Sequence, residues 1–227
     1  MGIYGVIDAF GGVGIGDELV KFLKHEIPKG ISFNQSDPER TLSFYFDPLR
    51  PIEVNALFNL ILELNRKTWE LNQKKSFYQR AGASLGLILQ VGEVLHMISV
   101  GATSLHLLRD KTLQEVIPAA NFRLFEQDNI PVRYQMDSIK MLNLPRTSIG
   151  LNLNLEIQWN PLRIMKNDII ILCSDGVLLD PDLKSLLRSI PERESQTAYL
   201  QNIVDKAFDY SNNMGNVDNQ TMLLLEY

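Results

Sequence analysis

The 227-residue sequence has only one cysteine and three histidines, which leaves little for thiol or imidazole chemistry. One cysteine cannot form a disulfide within the chain or a metal site made only of thiolates. Basic residues are in the minority, since 22 Lys and Arg stand against 27 Asp and Glu for a formal net charge of -5. Nonspecific nucleic-acid binding needs a clustered basic surface. The composition therefore predicts no disulfide framework and no nucleic-acid partner.

Long apolar runs are also absent. Ile3–Ile7 ends at Asp8 and Ile169–Cys173 ends at Ser174, so neither approaches the roughly 20 residues of a membrane-spanning helix. The N-terminus has no basic segment followed by a long apolar core, so no secretory signal is predicted. With 45% hydrophobic and 22% charged residues, the composition is typical of a soluble globular protein. We therefore expect a cytoplasmic protein without a membrane partner.

Hydrophobic periodicity indicates where the helices lie. Apolar residues at helical spacing from Leu19 to Ile27 predict a first helix that ends at Pro28-Lys29-Gly30, since proline and glycine commonly end helices. A longer apolar stripe predicts a second helix over Glu53–Asn72. Two further helices are predicted near Pro181–Ser189 and Arg193–Tyr210.

Strand-like patterns dominate the middle of the chain. Leu85–Val91 and Val94–Val100 flank Gly92-Glu93 and predict a β-hairpin. The other predicted strands are Gly2–Ile7, Ile31–Asn34, Thr41–Phe46, Thr103–Leu108, Ile169–Cys173 and Thr221–Glu226. Pro118–Asn152 has no clean period and is interpreted as a loop with short elements. Because there is no repeat or linker, we expect a single domain over residues 1–227, with helices covering layered sheets.

Three aspartates lie next to predicted strands. Asp8 ends the first strand, Asp175 follows Ile169–Cys173, and Asp218 precedes the last strand. Three carboxylates that converged at strand ends would repel one another unless hard cations neutralised them. Oxygen-only ligands suit Mg²⁺ or Mn²⁺, and two such ions roughly 3.5–4 Å apart can bind a phosphate and activate a water. Each aspartate alone is also a common turn former, because Asp-Gly and Asp-Asn favour turns.

Four motifs follow one another in a characteristic order. Tyr4–Gly12 runs from an apolar strand into Asp-Ala-Phe-Gly-Gly, and Leu85–Leu108 forms the middle hairpin. Asp168–Gly176 has the pattern Asp-x-x-x-Leu-x-Ser-Asp-Gly, and Asp218–Thr221 reads Asp-Asn-Gln-Thr. In order and spacing, these motifs resemble the metal-dependent Ser/Thr phosphatases of the type-2C (PPM) family, particularly its bacterial branch. The resemblance implies an α+β fold, a four-layer αββα sandwich of two mainly antiparallel sheets flanked by helices.

The resemblance also implies roles for individual residues. Asp8 would bridge two metal ions, and Ala9 would bind one of them through its backbone carbonyl. Asp175 and Asp218 would complete the protein ligands of the first ion, so the catalytic set is Asp8, Asp175 and Asp218, with Mn²⁺ or Mg²⁺ as cofactor. The implied reaction is hydrolysis of phosphoserine or phosphothreonine in a phosphoprotein substrate by a metal-activated water, as part of signalling.

The chain departs from the family pattern at four places. It begins at the strand after the usual opening strand, which carries a phosphate-binding Arg and a metal-binding Glu. Ala9 replaces the usual Gly, Phe10 replaces the usual His, and Gly101-Ala102-Thr103-Ser104 stands where Gly-Asp-Ser is expected. These changes imply a lost phosphate contact and an impaired metal position. Candidates to replace the missing Arg are Arg133, Arg146 and Arg163.

Two alternatives stay open. The chain could be a pseudophosphatase, folded but catalytically weak or inactive, that binds a regulatory protein partner or a phosphoprotein. The glycines Gly11–Gly16 after Asp8 also resemble the first motif of a class I methyltransferase, although the later antiparallel hairpins argue against alternating βαβ units.

Overall fold

A computed structural model describes residues 2–11, 14–36, 46–110, 112–125, 141–179, 196–214, 216 and 218–227. The helices in these ranges are α1 (Ile15–Ser36), α2 (Ile52–Gln73) and α3 (Gln196–Asn213), and a 3-10 turn spans Phe77–Gln79. The strands are β1 (Gly2–Gly11), β2 (Ala81–Val91), β3 (Val94–Val100), β4 (Ser104–Arg109), β5 (Thr112–Ile117), β6 (Asn121–Phe125), β7 (Met141–Pro145), β8 (Gln158–Arg163), β9 (Ile169–Cys173) and β10 (Met222–Glu226).

The strands form two four-stranded antiparallel sheets. The first sheet has the order β1-β2-β3-β8, and the second has the order β10-β9-β4-β5. Strands β6 and β7 pair separately. The predicted hairpin is confirmed, since β2 and β3 pair from Leu85↔Val100 to Val91↔Val94. Gly92 takes φ 61 in its turn, a left-handed conformation that favours glycine.

Alternating apolar residues divide the core into three layers of side chains. The layer between the sheets contains Val6, Ile88, Leu95, Met97, Leu105, Leu107, Ile170 and Leu172. The opposite face of the first sheet packs against α1 and α2 through Leu85, Leu87, Leu89, Leu23, Leu57 and Leu64. The outer face of the second sheet packs against α3 through Ile169, Ile171, Cys173, Ile203 and Ala207. The predicted αββα sandwich is therefore confirmed, and two antiparallel sheets do not fit the methyltransferase alternative.

The predicted end of the first helix is wrong. Helix α1 continues through Pro28 to Ser36, so Ile31–Asn34 is helical and not a strand. The apolar stripe of Leu19, Leu23 and Ile27 is buried, and this packing outweighs the hydrogen bond that proline removes. Gly30 serves the contact with α2, because a Cβ at this position would overlap the side chain of Leu60.

Other predicted boundaries agree with the structure to different degrees. Helix α2 and strand β9 match their predictions closely, whereas the edge strands β5 and β8 were missed. The predicted helix Pro181–Ser189 lies wholly outside the described residues, and so does the predicted strand Thr41–Phe46 except for its last residue. The predicted helix Arg193–Tyr210 is described from Gln196, where α3 begins. No helix in the described ranges is both long and apolar enough to cross a membrane.

Two buried asparagines of α2 attach the segment around Gly150 to the first sheet. The Nδ2 of Asn72 donates hydrogen bonds to the carbonyls of Ala81 (2.7 Å) and Gly150 (2.8 Å). Seven residues earlier on the same helix face, Asn65 Oδ1 accepts a hydrogen bond from the Gly150 N–H at 2.8 Å. Gly150 itself has φ 89, which favours glycine. These contacts place the segment beside the start of β2.

We expect Asn72→Ala to lower the free energy of unfolding by about 2–4 kcal/mol, because it leaves the buried carbonyls of Ala81 and Gly150 without their donor. Urea unfolding followed by circular dichroism measures the change. The matched control is Gln73→Ala, which alters the next, exposed residue of α2. An equal effect of the two substitutions would contradict the role assigned to Asn72.

Candidate metal centre

Asp8 and Asp175 meet at one end of the sandwich, where their side chains share a hydrogen bond. Asp8 lies on β1, two residues after the buried Val6, and therefore faces the second sheet. Asp175 follows β9 of that second sheet. A hydrogen bond between two carboxyl groups requires a proton on one of them. The pair thus combines one carboxyl group from each sheet around a shared proton.

The surroundings of the pair disfavour two negative charges. Burial raises the pKa of Asp175 to about 8, and the hydrogen bond with Asp8 and the charges of Asp8 and Asp218 act in the same direction. The pKa of Asp8 is also raised, first by burial and then by the charge of Asp218, although its hydrogen bond with Asp175 opposes this. At neutral pH the pair therefore retains a proton, which a cation could replace.

Asp218 lies near the pair on an exposed turn, and its charge acts on both carboxyl groups. Its Oδ1 accepts a hydrogen bond of 2.8 Å from the N–H of Asn219, the next residue in the chain. Across the described ranges, no three Asp, Glu, His or Cys side chains converge closely enough to hold a metal ion as they stand. The structure therefore joins two of the three predicted aspartates directly and places the third beside them.

Asn216, which no sequence pattern singles out, connects the turns that carry Asp175 and Asp218. Its Nδ2 donates to the carbonyls of Gly176 (2.9 Å) and Asp218 (3.2 Å), and its Oδ1 accepts from the Asp218 N–H (3.3 Å). Gly176 permits this approach, because a Cβ there would overlap the carbonyl oxygen of Asn219. The only available signal was one more asparagine in a polar turn.

Asp8 and Ala9 lie inside β1, which corrects the prediction that the strand ends at Asp8. Strand β1 continues to Gly11 because β2 begins at Ala81, earlier than predicted, and the two pair throughout. Ala9 does not take a positive φ, so replacing the family's usual Gly causes no backbone strain. The carbonyl oxygen of Ala9 lies beside Gly16 in the first turn of α1, where a Cβ would come within 3.3 Å of it.

Two of the predicted departures lie next to the acidic pair. Ala102 is 2% exposed, and its N–H donates to the Oγ of Ser84 at 3.0 Å. Ser84 is the register partner of Asp8. Phe10 is on the same face of β1 as Asp8, and Gly82 makes room for it, since a Cβ on Gly82 would lie 2.7 Å from the Phe10 ring. Small and aromatic side chains thus surround a pair of carboxyl groups.

The charged residues singled out in the sequence lie in different places. The Asp168 carboxylate, 1% exposed, receives two hydrogen bonds from Arg109 at 2.7 and 2.6 Å, which lowers its pKa. It precedes β9, whereas Asp175 follows it, so its role is structural. Arg163 lies at the same end of the sandwich as Asp168, away from Asp175, and pairs with Glu93. Other candidate replacements for the missing Arg are Arg146, which pairs with Glu156 at 3.8 Å, and Arg133, which lies outside the described residues.

No protein-family model and no curated protein sequence matches the chain. Several solved structures do match. PppA of Pseudomonas aeruginosa, a key regulatory component of T6SS, is 20% identical with a TM-score of 0.67, over 99% of this chain and 86% of that chain. The S. agalactiae serine/threonine phosphatase is 18% identical with a TM-score of 0.66, over 99% and 87% of the two chains.

The Mycobacterium tuberculosis serine/threonine phosphatase PstP/Ppp is 18% identical with a TM-score of 0.64, over 99% of this chain and 88% of that chain. Another similar structure is the catalytic domain of PstP in complex with 2 manganese ions. At these identities the similarity shows the fold, and it extends over nearly the whole chain. The prediction from the motif order is confirmed at this level: the chain has the fold of the PPM-type serine/threonine phosphatases.

Proposed function

We propose that this protein is a metal-dependent phosphatase that hydrolyses phosphoserine or phosphothreonine in cytoplasmic phosphoproteins, with residues 1–227 as one catalytic domain. The observation that carries the proposal is the contact between Asp8 and Asp175, which brings together one carboxyl group from each sheet. The fold is that of serine/threonine phosphatases, and the PstP catalytic domain binds manganese.

The residues at this end of the sandwich fit a hard divalent cation. Asp8, Asp175 and Asp218 supply only oxygen donors, and burial, together with the nearby charges of Asp8 and Asp218, raises the pKa of Asp175 to about 8. We assign Asp8, Asp175, Asp218 and the carbonyl of Ala9 as the protein ligands. A bound Mn²⁺ or Mg²⁺ would neutralise the carboxylates, bind a phosphate oxygen and acidify a water molecule.

The protein's own part in the reaction is to bind and orient. Asp8 and Asp175 would both serve as ligands of the cation once they are deprotonated, because the proton that they share competes for the same carboxylate oxygens. Asn216 holds the Asp218 turn against the Asp175 turn, which keeps the third carboxylate within reach. Pairing with β2 holds Asp8 inside β1, with paired residues before and after it, which preorganises the site on rigid elements.

A second candidate function is that of a pseudophosphatase that binds a phosphoprotein or a regulatory partner. The buried Ala102 favours it, because this alanine lies in the segment where the family pattern has a carboxylate. The similar protein PppA is a regulatory component, so this fold also serves regulation.

Phosphate release from a phosphothreonine peptide distinguishes the two functions. Mn²⁺ at roughly millimolar concentration is enough to fill a weak carboxylate site. We expect release that requires Mn²⁺ and stops when EDTA is added. A folded protein that releases no phosphate in either condition would contradict the enzyme and leave the pseudophosphatase.

A further inference from the structure

Residues 74–80, here called the basic turn, combine exposed cations with exposed aromatic rings. The turn joins α2 to β2 and contains Lys74, Lys75 and Arg80 but no acidic residue, in a chain with a net charge of -5. Phe77 and Tyr78 are 77% and 85% exposed. None of the ion pairs within the described ranges includes Lys74, Lys75 or Arg80. The turn therefore presents positive charge and apolar rings together to solvent.

The basic turn has a defined conformation. The N–H of Gln79 donates to the carbonyl of Ser76 at 2.9 Å, and the Ser76 hydroxyl donates to Gln79 Oε1 at 3.0 Å. The N–H of Arg80 donates to the carbonyl of Phe77 at 3.2 Å. The rings of Phe77 and Tyr78 pack edge to face, with centroids 5.7 Å apart. Because its backbone and rings are already ordered, a partner that binds here loses little conformational entropy in the turn.

The basic turn lies at the same end of the first sheet as the acidic pair. Gly11 of β1 packs against it, since a Cβ on Gly11 would lie 2.8 Å from the carbonyl oxygen of Arg80. Arg80 precedes Ser84, the register partner of Asp8, by four residues. At about 3.3 Å per residue of strand, Arg80, the last residue of the turn, lies about 13 Å from Asp8 along the sheet. An extended peptide covers the same distance with about four residues.

The charges of these two regions complement a phosphorylated segment with acidic neighbours. The acidic pair needs a cation to accept a phosphate and repels other anions, whereas the basic turn attracts them. Phe10 is 38% exposed between the two and adds an apolar surface to the path. Exposed aromatic rings beside cations gain most from a partner that offers apolar and acidic side chains together.

We propose that the basic turn is a docking surface for the substrate protein and selects phosphoproteins with acidic side chains, next to an aromatic or aliphatic one, about four residues from the phosphoserine or phosphothreonine. The proposal rests on the phosphatase function proposed above and specifies its substrate class. The committed occupant is a phosphorylated protein segment, and not an anionic membrane or a second copy of this chain.

The test compares two fluorescent phosphothreonine peptides of equal length. One peptide carries Glu-Glu-Phe and the other carries Lys-Lys-Phe. In each peptide the triplet is placed on both sides of the phosphothreonine, four residues from it. In both peptides a non-hydrolysable phosphonate stands in place of the phosphate, and binding to the full chain is measured by fluorescence anisotropy with Mn²⁺ at low salt, so that a cation can hold the phosphonate while no hydrolysis takes place. The variants are Lys74→Glu/Lys75→Glu and the control Lys24→Glu/Lys166→Glu, which changes the net charge equally at exposed positions on α1 and before β9. Thermal unfolding checks that both variants fold.

We expect the acidic peptide to bind at least about ten-fold more tightly than the basic one, and Lys74→Glu/Lys75→Glu to remove about ten-fold of this affinity while the control keeps it. Equal affinity for both peptides, or an equal loss in both variants, would overturn the proposal. Two other outcomes would also overturn the proposal. In one, sedimentation with phosphatidylcholine–phosphatidylserine vesicles depends on Lys74 and Lys75 while peptide binding does not. In the other, light scattering shows a dimer that depends on these lysines while peptide binding does not.

Hydrolysis of p-nitrophenyl phosphate with Mn²⁺ separates this proposal from the proposed function, because so small a substrate cannot reach the basic turn from the acidic pair. Its hydrolysis should be the same in wild type and in Lys74→Glu/Lys75→Glu. If the protein hydrolyses p-nitrophenyl phosphate but binds both peptides equally, the docking surface is overturned and the proposed phosphatase function stands. A peptide preference without hydrolysis supports the docking surface and counts against the enzyme.

Discussion

The free energy of unfolding of the metal-free protein is expected to fall as the pH rises from about 5 to about 8, and millimolar Mn²⁺ is expected to restore it. The cause is the acidic pair: the folded protein raises the pKa of Asp175 from 3.8 to about 8, so the folded state binds a proton that the unfolded state has already lost. The stability linked to this proton is fully present below pH 3.8 and is lost as the pH rises through about 8. For one proton, the free energy of unfolding falls by at most about 1.4 kcal/mol per pH unit.

Urea unfolding at pH 5, 6, 7 and 8, with EDTA and with Mn²⁺, measures this dependence. The stabilisation by Mn²⁺ should grow with pH, because the cation competes with the proton for the same carboxylates. Asp168 does not interfere, since Arg109 lowers its pKa and its effect is confined to more acidic solution. A stability that rises steadily from pH 5 to pH 8 in EDTA would contradict the shared proton.

Asp175→Asn is expected to reduce Mn²⁺-dependent hydrolysis of a phosphothreonine peptide by about a thousand-fold. The substitution removes one of the two carboxyl groups in contact, and a lost metal site costs several kcal/mol of charge stabilisation, where each 1.4 kcal/mol is a factor of ten in rate. The variant should fold, and in EDTA its unfolding free energy should depend less on pH than that of wild type.

The matched control for Asp175→Asn is Asp209→Asn, which makes the same charge change at an exposed position of α3. We expect Asp209→Asn to keep both the hydrolysis rate and the pH dependence of wild type. Wild-type activity in Asp175→Asn would show that any phosphatase activity of the chain arises elsewhere.

Much of the fold could be predicted because burial dictates its sequence pattern. Strand β9 is covered on both faces, by the other sheet and by α3, so Ile169–Cys173 is a continuous apolar run with clear limits. Strands β5 and β8 mix polar and charged residues with apolar ones and are partly exposed, so neither has a continuous apolar run and both were missed. Pro28 misled the prediction of α1, because local propensity there is overridden by packing.

Part of the candidate site could be predicted, because the order of the motifs along the chain follows the order of the strands that bring the aspartates together. Asp8 and Asp175 lie 167 positions apart and meet because β1 and β9 belong to facing sheets. Asn216 could not have been found, since its hydrogen bond to the carbonyl of Gly176 depends on how two turns approach in space. The alternative interpretation of Asp218 as a turn residue also agrees with the structure, in which its carboxylate accepts a hydrogen bond from the neighbouring backbone.

If the carboxyl groups of Asp8, Asp175 and Asp218 form a divalent metal site, the protein must bind Mn²⁺ through them, and the number of Mn²⁺ ions bound per chain is the decisive measurement. Electron paramagnetic resonance of free Mn²⁺ at pH 7.5 gives this number for wild type, Asp175→Asn and Asp209→Asn. We predict two bound ions, or one where the second position is impaired, for wild type and for Asp209→Asn, and one ion fewer for Asp175→Asn. No binding to the wild type, or equal binding to all three proteins, would contradict a metal site at these carboxyl groups.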